Sequence, residues 1–219
     1  MPTLKKRTDV GIMAISSKEK SEQKIAEKQL MDRYLSGDKT AFQEIVTLYK
    51  DQLYAFLRRF LNQNDLVEEV FQETFLQLYR SSGTFDTSKP LRPWLFTIAA
   101  NKARDLLRKR QRDNSVSLGA MAEPTDLSVD DVMNSLTSYK ITPYDEATKA
   151  ETAKAVRAAI AEMPENLREI LILAYFEQFS YKQMAQILSI PIGTVKSRLH
   201  AAIVRFTKKW KSNGANESI

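Results

Sequence analysis

Residues 180–206, reading SYKQMAQILSIPIGTVKSRLHAAIVRF, limit what this chain can fold into more than any other stretch. Ser180 followed by Gln183 is a capping-box pattern, in which each side chain reaches the other residue's free backbone N–H. Met184, Ala185, Ile187 and Leu188 then recur at helical spacing, as the buried face of a short helix does. Ser189-Ile190-Pro191 breaks that pattern, since proline has no N–H to donate and its ring clashes with a continuing helix. From Ile192 a second helical pattern turns Val195, Leu199, Ala202, Ile203 and Phe206 inward, with Lys196, Ser197, Arg198, His200 and Arg205 outward or flanking. Two short helices across a three- or four-residue turn make a helix-turn-helix. The outer face offers Thr194, Lys196, Ser197 and Arg198, with Lys208, Lys209 and Lys211 beyond and no carboxylate between 192 and 211. It suits the groove of a polyanion, with hydroxyls and ammonium groups for phosphates and a guanidinium for guanine edges. A helical hairpin with a merely solvated basic face is the competing reading, although the cap and turn together are less common than basic faces.

The whole chain of 219 residues has room for one large or two small domains, and two small ones fit better. With no cysteine and one histidine, disulfides, thiolate zinc sites and histidine metal clusters are excluded, so a cofactor-free cytoplasmic protein is expected. Lys and Arg outnumber Asp and Glu by 33 to 27, a formal charge of +6 that leans toward an anionic partner. The apolar runs, such as residues 170–176, fall far short of the ~20 residues of a membrane span. Residues 10–15 are likewise too short for a signal-peptide core.

Residues 1–20 are rich in Lys, Ser and Thr without a period and read as a flexible arm. From Ser21, the residues Ile25, Ala26, Leu30, Met31, Tyr34 and Leu35 follow helical spacing, and Ser36-Gly37-Asp38 stops that helix and caps the next. Phe42, Ile45, Val46, Tyr49, Leu53, Phe56, Leu57 and Phe60 then define one side of a long core helix. A third helix, about 65–80, turns Val67, Val70, Phe71, Phe75, Leu78 and Tyr79 inward. Its Glu69, Gln72 and Glu73 share an outer face that is either solvated or shaped for a basic partner. Residues 81–92 have a loop composition, and Pro93 suits the first turn of a helix running to about 112. Along it Trp94, Leu95, Ile98, Ala99 and Leu106 are core candidates. Asn101, Arg104, Asp105, Arg108 and Arg112, joined by Lys102, Lys109 and Arg110, form a polar face. Aromatics first and cations after suit single-stranded DNA, whose bases stack while its backbone follows the charges; a core Trp with a solvated helix end is the plainer alternative. Residues 113–144 read as an acidic linker, and Thr142-Pro143-Tyr144-Asp145 as the capped start of an Ala-rich helix reaching about 162.

The string PIGTVKSRLHAA resembles region four of bacterial sigma factors, whose recognition helix reads the minus-thirty-five promoter element. The resemblance extends upstream through MPENLREILILAYFE, which is similar to that region's supporting helix. Ser189 stands where the family usually has Gly, at a cost if the turn needs a positive φ. VEEVFQETF resembles the segment that grips the clamp helices of the polymerase largest subunit, with Glu69 where the family commonly has Asp. WLFTIAANKARDLLRKRQR resembles the strand-opening and minus-ten-reading part of region two, after a loop that in the extracytoplasmic-function group captures a flipped base. Neither a region three nor a long N-terminal domain intervenes.

The resemblance implies an all-α chain of two small helical domains: region two over 21–112, a linker over 113–144, region four over 145–211 and a tail over 212–219. It implies polymerase contacts at Glu69, Gln72, Glu73 and Phe75, and minus-ten DNA contacts at Trp94, Asn101, Lys102, Arg104, Arg108, Lys109 and Arg112. Minus-thirty-five contacts fall on Thr194, Lys196, Ser197, Arg198, His200 and Arg205. Its implied partners are core RNA polymerase, through the clamp helices and the flap, promoter DNA both duplex and single-stranded, and an anti-sigma factor, with no membrane insertion. The linker of that family threads the polymerase cleft; from the residues alone a passive tether fits equally. The competing function is an autonomous helix-turn-helix regulator of duplex DNA, for which residues 21–112 lack the alternating strands of a receiver domain. An enzyme is a more distant reading, because no phosphate loop, metal set or nucleophile–base pair is present.

Overall fold

A computed structural model describes residues 17–113 and 146–214, and most of the expected arm, most of the linker with its Thr142 capping box, and the last tail residues lie outside them. All the regular structure among the described residues is helical. The first group comprises α1 (Ser17–Leu35), α2 (Lys39–Leu61), α3 (Asn64–Ser81), a 3-10 turn at Ser82–Thr84, and α4 (Leu91–Asp113). The second comprises α5 (Glu146–Ala161), α6 (Glu165–Tyr175), α7 (Tyr181–Leu188) and α8 (Ile192–Gly214).

The caps follow from local chemistry. Asp38 accepts a hydrogen bond from the Thr40 amide at 2.9 Å and starts α2. Arg33, in the last turn of α1, bonds both Asp38 (2.6 Å) and Glu44 (2.9 Å), fixing the α1–α2 corner. Asn62 takes a left-handed φ of 56° and ends α2, a conformation that asparagine tolerates better than most residues.

The α2 stripe is core as expected. Ile45, Tyr49, Leu53, Phe56, Leu57 and Phe60 are fully buried, and Phe42 and Val46 pack partly exposed against them. Small residues on α4, namely Ala99, Ala100 and Ala103, are also buried. They let α4 lie close to its neighbours α2, α3 and α7.

Several boundaries and faces differ from expectation. α1 begins at Ser17, inside the expected arm, and its Ile25 and Leu35 are exposed. Its Glu27 is buried instead, because its carboxylate accepts the Leu91 amide at 3.2 Å and so caps α4 across the fold. That cap starts α4 two residues before Pro93. On α3, Tyr79 is 59 % exposed rather than inward, while Leu66 and Thr74 take core positions. The Thr74 hydroxyl is satisfied by the Val70 carbonyl at 2.6 Å, which permits its burial.

The two groups are not separate bodies. α4 packs on α7 and α2 on α6, and the buried apolar cluster runs through both groups without a break.

Candidate nucleic-acid interface

The helix-turn-helix forms as its sequence requires. Ser180 and Gln183 satisfy each other's backbone N–H groups, at 3.3 and 2.9 Å. α7 ends at Ser189 with φ 53° and ψ 45°, the positive φ at which serine replaces the family's glycine. Ile190 donates to the Ala185 carbonyl at 3.1 Å and Val195 to that of Pro191 at 3.0 Å, so the turn leaves few unpaired backbone groups. α8 departs from α7 at 99°.

α8 buries Val195, Leu199, Ala202 and Ile203. That leaves Lys196, Ser197 and Arg205 exposed and Thr194, Arg198 and His200 half-buried. Ser197 donates back to the Thr194 carbonyl at 3.2 Å, so both hydroxyl residues sit at the start of the helix, where phosphate binding is favoured. His200 turns Nδ1 into the protein, where it has no hydrogen-bond partner among the described residues.

α4 arranges its polar face differently. Trp94 stacks on Phe85 of the preceding loop, ring centroids 4.4 Å apart and planes at 26°. Asn101, Arg108, Lys109 and Arg112 are exposed. Asn101 accepts from the Arg104 guanidinium. Lys102 reaches Glu73 on α3 at 3.3 Å, joining two residues expected to serve different partners. Arg104 is only 22 % exposed, because it bonds the Ala100 carbonyl, reaches that of Leu188 on α7 at 3.5 Å, and lies 3.7 Å from Glu169 on α6.

On α3, Glu69 and Gln72 are exposed, Glu73 is half-buried, and Gln72 donates to Glu68 at 2.9 Å. Phe75 does not belong to that face. It is 8 % exposed and packs edge-on against Phe71, so it supports the face from beneath and offers no surface to a partner. Leu76 and Tyr79 extend the acidic face instead, four and seven residues beyond Gln72, and both are exposed.

Sequence reasoning missed the residues joining the two groups. Glu177 is 5 % exposed and receives Arg92 twice: the guanidinium donates to its carboxylate and to its backbone carbonyl, each at 2.9 Å. Arg59 stands 3.8 Å from the same carboxylate and over the Phe176 ring. Arg168 donates to the Phe60 carbonyl at 2.9 Å. Burial pushes the Glu177 carboxyl up from its usual range against the pull of Arg92 and Arg59. It pushes Glu169 up to about 7, because Arg104, Arg198 and Arg108 offset only part of the desolvation.

A helix-turn-helix with a basic second helix, carried beside a basic helix that follows an aromatic loop, defines a DNA-binding transcription protein. Residues 45–113 match the Sigma-70 region 2 family and residues 153–206 the Sigma-70 region 4 family. The sigma-E factor of Haemophilus influenzae is 32 % identical over 184 residues, 82 % of this chain and 93 % of that protein. The fold is similar to that of CnrH, solved with the cytosolic domain of CnrY (TM-score 0.61, 22 % identity, 85 % of this chain and 98 % of that one). It is also similar to RpoE of Bartonella quintana, solved with the anti-sigma factor NepR (TM-score 0.57, 24 % identity, 78 % and 96 %). The chain belongs to the extracytoplasmic-function sigma factors of the sigma-70 family. It therefore directs RNA polymerase to promoters, and the autonomous regulator is not favoured. Among the described residues no single helix is long and apolar enough to cross a membrane.

Proposed function

We propose that this sigma factor divides its work among three faces. The acidic face of α3, with Glu69, Gln72 and Glu73, docks on a basic surface of the polymerase largest subunit. The loop before α4 and the α4 residues Trp94, Asn101, Lys102, Arg104, Arg108, Lys109 and Arg112 hold the opened minus-ten strand. On α8, Thr194, Lys196, Ser197, Arg198, His200 and Arg205 face the minus-thirty-five duplex, His200 through Nε2 only. The corresponding division is region two over 21–112, a linker over 113–144 and region four over 145–211.

The observation that carries the reading is the Phe85–Trp94 stack at the root of a basic helix. A flipped base costs a few kcal/mol, and a ring pair beside a row of cations can offset it at about 1–3 kcal/mol per stacked base. The protein makes and breaks no covalent bond itself; it acts in the cytoplasm, where the polymerase is, and an anti-sigma factor holds it until a signal arrives.

Reconstituted transcription tests this. Adding the chain to core polymerase should produce start sites downstream of two defined elements. Reversing Glu69 and Glu73 to Lys should weaken core binding without changing helix content. Unchanged core affinity in that variant would remove α3 as the docking face.

A further inference from the structure

The first turn of α4 is capped from a distant part of the chain. A helix start leaves its leading amides without partners, and the residue just before it ordinarily supplies a side-chain oxygen to one of them. Here that residue is Pro90, whose side chain has no oxygen. The Leu91 amide donates instead to Glu27 of α1, 64 positions away, at 3.2 Å. Both residues are buried, at 1 and 4 % exposure. Glu27 sits one turn before the buried Met31, a place on α1 that an apolar side chain would fill at lower desolvation cost. Tyr49 of α2 is fully buried beside the same carboxylate: burial and then the Glu27 charge push its hydroxyl well above the usual range.

The connection that Leu91 ends is short and internally braced. The Phe85 amide donates to the Ser82 carbonyl and the Lys89 amide to that of Asp86, each at 3.0 Å. The Asp86 carboxylate in turn accepts from the Ser88 amide at 3.0 Å and from its hydroxyl at 2.7 Å. α1 holds this arch at two points. One is Leu91, where α4 begins. The other is Thr87, whose hydroxyl, after the Lys28 ammonium, helps to hold the Asp32 carboxyl of α1 below its usual range. Trp94 follows Leu91 by three residues, and its stack on Phe85 closes the arch.

We infer that Glu27 is a positioning residue for strand opening: by holding the Leu91 amide it fixes where α4 leaves the loop, and so sets the Phe85–Trp94 stack that receives an extruded base. The inference rests on the reading of that stack as a base-receiving surface. Glu27 itself touches no DNA. Without its carboxylate, the Leu91 amide is either buried unpaired or turned out to water, and either change loosens the turn that carries Trp94. A loop already held in its binding shape loses less conformational freedom when the base arrives, so the cap acts through preorganisation.

Glu27→Met keeps the length of the side chain and removes the acceptor, whereas Glu27→Gln keeps an oxygen. In the holoenzyme on a duplex promoter, Glu27→Met should lower the permanganate reactivity of minus-ten thymines on the order of fivefold, the lower end of what one stacked base contributes. Core affinity and helix content should stay unchanged, and Glu27→Gln should recover most of the reactivity. Full reactivity in Glu27→Met would overturn the inference. So would a loss of helix content or core affinity in step with opening, which would make Glu27 a residue of general folding. A double-mutant cycle with Trp94→Ala separates positioning from stability: the pair should lose no more than Trp94→Ala alone, and losses that multiply would exclude action through Trp94. Trp94→Ala by itself tests the underlying reading, because undiminished reactivity there means that the stack receives no base. The placement of the stack is decided separately in the free chain. With Trp210→Phe, Trp94 is the only tryptophan left, and Glu27→Met should shift its emission to the red and raise its quenching by acrylamide. Unchanged emission and quenching would show that Glu27 does not position the ring.

Discussion

The two basic helices differ in how their charge is held. On α4 most of the cations are already engaged, Arg92 with Glu177, Lys102 with Glu73, Arg104 beside Glu169, Arg108 with Asp105 and Arg110 with Asp65, while Lys109 and Arg112 are exposed. On α8, Lys196 and Arg205 are exposed, and no carboxylate lies within the helix from 192 to 211. In the proposed division of work, a helix without acids would accept duplex DNA as it stands, whereas α4 would exchange some of its protein partners for nucleic acid. The difference suits a helix that reads a duplex and one that acts only after strands part.

The largest effect that would break this contrast is on strand opening. Arg104→Ala with Arg108→Ala should reduce opening of duplex promoters by a few kcal/mol, on the order of 100-fold, and a pre-melted bubble template should restore most of the activity. Permanganate footprinting of the holoenzyme measures it, and equal thymine reactivity in mutant and parent would return α4 to a solvated helix end.

An effect of similar size concerns pH. The folded Glu169 carboxyl titrates near 7 against an ordinary value of 4.5, so the folded form holds a proton that the unfolded chain has released. Its contribution to stability is complete below about 4.5 and is lost as pH rises toward 7 and beyond, on the order of 3 kcal/mol in all. The groups facing it are Arg104 and Arg108 from α4, Arg198 from α8 and Glu165 on its own helix. Urea midpoints of the intact chain between pH 5 and 8 should fall more steeply than those of Glu169→Gln; parallel curves would contradict the assignment.

The third prediction sharpens the α8 side. Arg198→Ala should cost about 1–3 kcal/mol and relax one promoter position, whereas Lys196→Ala should weaken all promoters alike and lower the salt slope by about one. Binding titrations on single-substitution promoters at several salt concentrations separate the two. Equal weakening on every promoter by Arg198→Ala would mark it as a phosphate contact.

The smallest effect is in the turn. Ser189 sits at a left-handed φ of 53°, so Ser189→Gly should stabilise the chain by about 0.5–1 kcal/mol, read as a raised denaturation midpoint. A lowered midpoint would mean that the serine side chain contributes more than the strain costs.

Sequence periodicity carried the elements whose order is local. The α2 stripe, the Ser180–Gln183 cap and the inner face of α8 are each set by residues within a few turns of one another. Pairings that span the chain left no such trace. Glu177 meets Arg92 across 85 positions and Arg168 meets the Phe60 carbonyl across 108, so neither residue looks different from a solvated charge in its own neighbourhood. Glu27 is the same case: an acid on a weakly amphipathic helix reads as exposed until the Leu91 amide it caps is known. Phe75 lies inward as its spacing requires and Tyr79 does not, for a geometric reason. They lie four apart on one helix, and their ring partners differ: Phe71 within α3 covers Phe75, while Tyr34 and Phe42 at the α1–α2 corner draw Tyr79 aside. The three faces of the candidate site were thus legible as faces, and the seam that covers Arg104 on α4 was not.

That this chain reads a promoter through two helices only as part of the polymerase is the expectation on which the proposed division of faces depends. Its most direct test is a paired footprint on one promoter, with the free chain and with the chain on core polymerase. The holoenzyme should protect both elements and give reactive minus-ten thymines, and the free chain should do neither at the same concentration. Protection of both elements with opened thymines by the free chain alone would contradict it.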